Sequence, residues 1–199
     1  RKQPFIFGVP QPVPMMVDAV ADHMQAAGIR SVGFIGFTDA WGDLTLRALT
    51  QAGAARGIQV LAAERYARTD TSVNSQVIKV MATHPQAVFI GGTGTPGALP
   101  QIALVERGYR GPVYHTHGVV NQDFIRVGGR SAEGVIAPTG AIVVADQLPE
   151  GHPLKKVGTE FLKAYEGKYG AGSRNAFAGY AYDAYAVVTA AVPAALKKA

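Results

Sequence analysis

Cysteine is absent from all 199 residues. That removes disulfides, thiolate metal sites and cysteine nucleophiles together; it fits an oxidising compartment without identifying one. Charge is sparse, at 17% of residues against roughly 25% in an average soluble domain. Continuous apolar runs of about 20 residues are missing, so no helical membrane span is expected. The most apolar helix-like run, 184–196, is short and contains Pro193. An initiator Met and a signal peptide are missing too, and the opening Arg1-Lys2-Gln3-Pro4 reads as a processed or excised product. The common catalytic signatures are equally scarce. There is no G-x-S-x-G elbow, P-loop, H-E-x-x-H or readable pair of carboxylates. Binding rather than turnover is therefore expected, with no enzyme activity, no cofactor and no metal.

Positive charge is in excess, +5 overall with an isoelectric point near 9.5. Its distribution speaks against nucleic acid as a partner. The 19 Lys and Arg stand singly except for Arg1-Lys2, Lys155-Lys156 and Lys197-Lys198, and no doublet is interleaved with aromatics. The pattern reads as a solvated surface with a mild preference for anions.

Hydrophobic residues make up 48% of the chain, enough for one large domain or two small ones. The 24 glycines and 12 prolines exceed the usual share and mark many short connections. Ser31–Phe37 (SVGFIGF) reads as a buried strand, preceded by Val17, Val20, Ala21 and Met24 at helical spacing and by Gly28 as a helix stop. A helix over 43–56, a strand over 58–63 and a helix capped by Thr71 or Ser72 follow. Next come a strand over 87–90, a helix over 98–107, a strand over 112–115, a short helical piece around Phe124 and a fifth run over 134–137. Strand starts every 20 to 30 residues with helices between them are the signature of βαβ units. The expected class is α/β, a parallel sheet flanked by helices on both faces. From about Ile142 the character changes: a loop, an amphipathic helix over 154–169, and a small-residue helix over 180–195. Two helices with no following strand need a partner surface.

Three constellations invite a ligand. Gly92-Thr93-Gly94-Thr95-Pro96-Gly97 is a formal G-x-G-x-x-G, but it follows the third strand, and no acidic residue ends the next strand. It reads better as a Gly-rich strand-end loop facing some other small ligand. His115-x-His117 would point both imidazoles one way on an extended strand. With no third metal ligand in view, a strand-end histidine hydrogen-bonded to ligand or backbone is preferred to a metal site. Trp41, the only tryptophan, lies in the loop after the first strand, where its face suits a ligand.

The loops then show a family likeness. Asp39-Ala40-Trp41-Gly42, Thr69-Asp70-Thr71-Ser72, Pro85-Gln86-Ala87-Val88-Phe89-Ile90, Glu133-Gly134 and Tyr182-Asp183-Ala184 stand in the order and spacing of one family. The chain resembles the type I periplasmic solute-binding proteins of the leucine/isoleucine/valine class, the receptors of branched-chain amino-acid-type ABC transporters. The resemblance implies two α/β lobes that trap a small-molecule solute by hinge motion, a periplasmic location and a membrane permease as partner. It makes residues 1–140 the ligand-binding second lobe, a five-strand α/β unit with hinge segments near both ends. Residues 141–199 become the hinge return and helices of the first lobe, whose first half is not contained in this sequence. Surface exposed by that absence can drive self-association.

By the same resemblance Trp41 packs against the solute, Thr93 takes a second aromatic position, and Phe177 forms a hydrophobic wall. Gly94 and Thr95 of the same loop, with Gly118, complete the expected ligand-binding set. His117 stands where the family has the acidic residue that takes an α-ammonium group. An imidazole cannot replace a carboxylate there, so a carboxylate solute without an α-amino group, aromatic or hydrophobic, is expected on Trp41. The alternatives are a branched-chain amino-acid receptor of the same family, or the effector domain of a sensor or transcriptional regulator.

Overall fold

The computed structural model describes residues 7–197; the opening Arg1-Lys2-Gln3-Pro4 and Lys198 lie outside them. The chain divides into two compact units, one spanning Val13–Pro138 and the other formed by 7–12 with 139–197.

The first unit is a parallel sheet in the order β2-β1-β3-β4, made of β1 (Ser31–Phe37), β2 (Gln59–Tyr66), β3 (Ala87–Gly91) and β4 (Val113–His115). The central strands β1 and β3 are buried almost throughout, as parallel strands covered on both faces must be. Edge strand β2 alternates between exposed and partly covered positions over most of its length. The fifth expected strand, 134–137, is reduced to a single bridge between Tyr114 and Ile136. Two backbone bonds hold it, His115 N–H to Ile136 O at 2.8 Å and Ile136 N–H to Val113 O at 3.1 Å. The unit therefore has four strands rather than five: β4 is only three residues long and leaves little edge to extend.

Side-chain alternation sorts the core into two layers. Phe34 and Phe89 point to one face, where Val17, Val20 and Met24 of α1 (Val13–Ala26) and Leu49 of α2 (Ala40–Ala55) cover them. Ile35, Phe37, Val88 and Ile90 point to the other, against Val77 and Val80 of α3 (Asn74–Met81) and Leu104 of α4 (Ala98–Glu106). Helix α1 stops where its sequence stops it. Gly28 takes φ +74°, its N–H bonds Gln25 O, and Ile29 N–H bonds Met24 O at 2.9 Å. This Schellman arrangement places a residue without Cβ in the left-handed region and satisfies the last carbonyls. Helix α2 ends by the same bonds at Gly57. Helix α3 starts from Val73, which makes no side-chain cap bond, rather than from Thr71 or Ser72; Ser72, just ahead of it, accepts from Asn74 N–H at 3.4 Å. A short helix α5 (Gln122–Gly128) lies ahead of the single bridge.

In the second unit α6 (Lys155–Tyr169) buries Leu162 and brings Gly158 against Ala145. Arg174 ties its end down, bonding Glu166 and Asp146 at 2.9 Å each. Helix α7 (Ala176–Leu196) is capped by Asn175, whose Oδ1 accepts from Ala178 N–H at 2.9 Å. It leaves Tyr185, Val187, Val188, Val192 and Leu196 exposed. Among the described residues, no helix is long and apolar enough to cross a membrane.

Candidate functional site

Strands β1, β3 and β4 end at Phe37, Gly91 and His115, and the loops that leave them share one edge of the sheet. In open parallel sheets this carboxyl edge is where ligands bind. The first loop is set by Asp39. Its backbone is extended and its Oδ1 accepts from Gly42 N–H at 3.0 Å, starting α2 so that Trp41 falls in the first helical turn. The indole is partly buried against the second core layer. Its Nε1–H is buried and has no acceptor among the described residues.

The second loop carries the glycine motif. Gly92 sits where a Cβ would press on the Tyr66 hydroxyl and on Gly97, and that hydroxyl donates to Pro96 O at 3.0 Å. Gly94 N–H donates to Gly118 O at 2.9 Å, and Gly97 N–H to Gly94 O at 3.1 Å. These backbone donors are used inside the protein and are not free to cradle a pyrophosphate, as a dinucleotide loop requires. The close packing of Gly92 explains the motif without a nucleotide.

The third loop separates the two histidines. Strand β4 ends at His115, and Thr116 turns the chain: its hydroxyl donates to Gly92 O at 2.7 Å and accepts from Gly118 N–H at 3.3 Å. His117 then opens a 3-10 turn, so the shared direction expected of His-x-His on an extended strand is lost. His115 is fully buried on Phe124, with ring centroids 5.1 Å apart, and its Nε2 meets Gln101 Oε1 at 3.0 Å. Gln101 donates its amide to Ser131 O at 2.7 Å, so its oxygen faces His115 and fixes the Nε2–H tautomer. Burial pushes the His115 pKa down to about 3. His117 is buried too, and burial lowers its pKa as well, favouring the neutral ring. That ring meets Trp41 edge-on, centroids 5.7 Å apart and planes at 65°.

Asn121 braces this turn from below, its amide donating to Gly118 O at 3.2 Å and its Oδ1 accepting from Phe124 N–H at 3.0 Å. Asn121→Ala is expected to cost about 1 kcal/mol, as loss of a helix cap does. The check is urea unfolding of the variant against wild type, and a change under about 0.3 kcal/mol would remove Asn121 from this role.

Arg68, just beyond β2, escaped the sequence reading. Its Nε donates to Asp39 Oδ2 at 2.7 Å, its Nη1 to Thr93 Oγ1 at 3.2 Å, and its guanidinium lies 4.0 Å from the Phe37 ring centroid. Partial burial works to raise the Asp39 carboxyl; the Gly42 N–H and Arg68 outweigh it and hold Asp39 below the usual carboxylate range. A signal for Arg68 existed: it is the first charged side chain past a strand's carboxyl end, the position that named Trp41.

Six of the seven expected ligand residues thus lie on one edge of one unit. Trp41, Thr93, Gly94, His117 and Gly118 are linked by the contacts above, and Thr95 stands exposed beside them. Phe177 belongs to the other unit, half-exposed in the first turn of α7 with its ring 6.2 Å from Tyr180.

Comparison with known proteins gives this edge a context. The sequence matches the periplasmic binding protein family over residues 2–198. No curated protein matches it. An extracellular ligand-binding receptor from Rhodopseudomonas palustris HaA2 is 46% identical, with a TM-score of 0.91, covering 96% of this chain and 53% of its own. The leucine binding protein of Thermotoga maritima shares the fold at 21% identity and a TM-score of 0.80, over 94% of this chain and 51% of its own. So does an ABC transporter solute binding protein from R. palustris solved with benzoate, at 18% identity and 0.74, over 89% and 47%. The chain spans about half the length of these relatives. A match over residues 2–198, with 46% identity to a ligand-binding receptor, places this chain in the periplasmic binding protein family.

Proposed function

We propose that the chain is part of the periplasmic solute receptor of an ABC uptake transporter, delivering its solute to a membrane permease and performing no chemistry of its own. The solute is a small carboxylate, aromatic or hydrophobic and without an α-amino group, resting on Trp41. In this reading Val13–Pro138 supplies one lobe of a receptor that closes by hinge motion.

One observation carries the choice of solute. By the family resemblance, the position that would meet an α-ammonium group holds His117, whose imidazole burial pushes toward the neutral form. A neutral ring gives an ammonium ion no charge partner, and a binding site disfavours a charge it cannot pair. Asp39, a carboxylate on the same edge, is already engaged by Arg68 and Gly42 N–H. The benzoate complex of the distant R. palustris receptor is consistent with such a solute in this fold.

The test is a thermal-shift panel on the full-length receptor, setting leucine, isoleucine and valine against benzoate and phenylacetate. A ligand at about 100 times its Kd adds roughly 2.7 kcal/mol, a readily measured rise in Tm. Stabilisation by the aromatic acids alone is expected. Stabilisation by leucine or its relatives alone would replace this solute with a branched-chain amino acid.

A further inference from the structure

The contacts at the carboxyl edge close into a ring. Trp41 meets His117 at 5.7 Å, Gly118 O accepts from Gly94 N–H, and Thr93 precedes Gly94 and accepts from Arg68. Arg68 in turn holds Asp39, two residues before Trp41. Arg68 is the half-exposed member of this ring that carries a full charge with donors to spare. A guanidinium has five N–H groups. Two are used here, one on Asp39 and one on Thr93, leaving three N–H groups without a protein partner among the described residues. Nor is the side chain free to turn away. Asp39 is itself fixed by Gly42 N–H, and the guanidinium lies over the Phe37 ring. A preorganised fork of donors on the sheet edge that also carries Trp41 suits an oxygen acceptor on a molecule lying there.

We propose that Arg68 is a specificity-determining residue that reads an oxygen substituent on the solute's ring, remote from its first carboxylate. This rests on the reading above, that an aromatic acid lies on Trp41, and names its substrate class more narrowly: oxygenated aromatic acids, bearing a ring hydroxyl or a second carboxylate. Asp39 orients Arg68 and offsets part of its charge, so the preference comes from directed N–H donors rather than from net attraction to anions. A hydrogen bond from a charged donor is worth about tenfold or more in affinity. An acid lacking the acceptor leaves those donors unmatched.

The experiment is titration calorimetry of the full-length receptor with benzoate, 3- and 4-hydroxybenzoate and terephthalate. Wild type is compared with Arg68→Lys, Arg68→Gln and the double variant Arg68→Gln/Asp39→Asn. In the double variant the new side-chain amide oxygen at position 39 still accepts from Gly42 N–H, and no unpaired carboxylate is left there to repel the acids.

Wild type is expected to bind at least one oxygenated acid about tenfold or more tighter than benzoate. That ratio is expected to fall to about twofold in the double variant and to an intermediate value in Arg68→Lys. A gain confined to terephthalate identifies a second carboxylate as the group read; a gain with the hydroxybenzoates identifies a hydroxyl. An unchanged ratio in the double variant overturns the proposal, as does a wild type with no preference. If a variant unfolds, Arg68→Lys decides alone by the same ratio. Failure of every aromatic acid to bind wild type overturns the underlying reading as well, and is distinguished by the absence of any heat.

Discussion

Gly42→Ala is expected to destabilise the protein by at least about 3 kcal/mol, a fall in Tm of roughly 6–12 °C for a chain of this size. The cause is steric and local. A Cβ at this position would overlap the Phe37 carbonyl oxygen and crowd the Arg65 guanidinium. The nearest obstacle is backbone, in the last residue of a central strand, so no rotamer change relieves it. Arg65 Nη1 also donates to the same Phe37 carbonyl at 2.8 Å, and that bond would be displaced with it. The contact exists because α2 starts tightly against the end of β1, and that closeness puts Trp41 at the sheet edge. Loss of Trp41 placement should therefore accompany loss of stability. Thermal unfolding of the variant, read by far-ultraviolet circular dichroism, is the check. A Tm within about 2 °C of wild type would mean that the start of α2 gives way easily and that Trp41 is not rigidly held.

Acid is expected to destabilise the protein in a way that depends on His115. Folded, this ring has its pKa pushed down to about 3 by burial; unfolded, it titrates near 6.5. Below pH 6.5 the unfolded chain therefore binds a proton that the folded chain refuses. Stability is fully present above about pH 6.5 and falls as the pH drops toward 3, by about 1.4 kcal/mol per unit. Between pH 6 and 4 this amounts to roughly 2–3 kcal/mol. His117, lowered by burial as well, adds in the same direction. Urea unfolding of wild type and His115→Gln at pH 7, 6, 5 and 4 measures the difference. The variant is expected to lose most of this slope, whatever its stability at pH 7. Parallel curves for the two proteins would show that His115 accepts its proton without unfolding.

What could be read from the residues followed from period and punctuation. Helix α1 announced itself by Val17, Val20 and Met24 and stopped at Gly28. Strand β1 stood out as a short buried run and β3 as a strand, and the structure buries both in the sheet centre. The fifth run, 134–137, looked like a strand because composition says what a segment can do, not how much partner it finds. Its neighbour β4 offers three residues, so pairing ends after one bridge. His115 and His117 misled for a related reason: period-two reasoning holds only while the chain stays extended, and Thr116 caps a turn between them. Arg68 was missed because its strand-end position alone does not give its role, which depends on Asp39 and Thr93, 29 and 25 residues away along the chain. Such a ring is assembled by sheet order, which no local pattern encodes. Trp41 drew notice because a lone aromatic at a strand's end needs only local sequence to be seen.

The claim at the centre of this account is that the receptor takes a carboxylate and refuses its α-amino counterpart. Titration calorimetry of the full-length protein with 3-phenylpropionate and with phenylalanine tests it most directly, since the two share a skeleton and differ in the ammonium group alone. A buried charge without its partner costs roughly 2–5 kcal/mol, so 3-phenylpropionate is expected to bind on the order of 100-fold tighter. Equal binding, or tighter binding of phenylalanine, would contradict the claim. It would mean that a carboxylate reaches the ammonium despite His117, and it would return the receptor to the amino-acid binders.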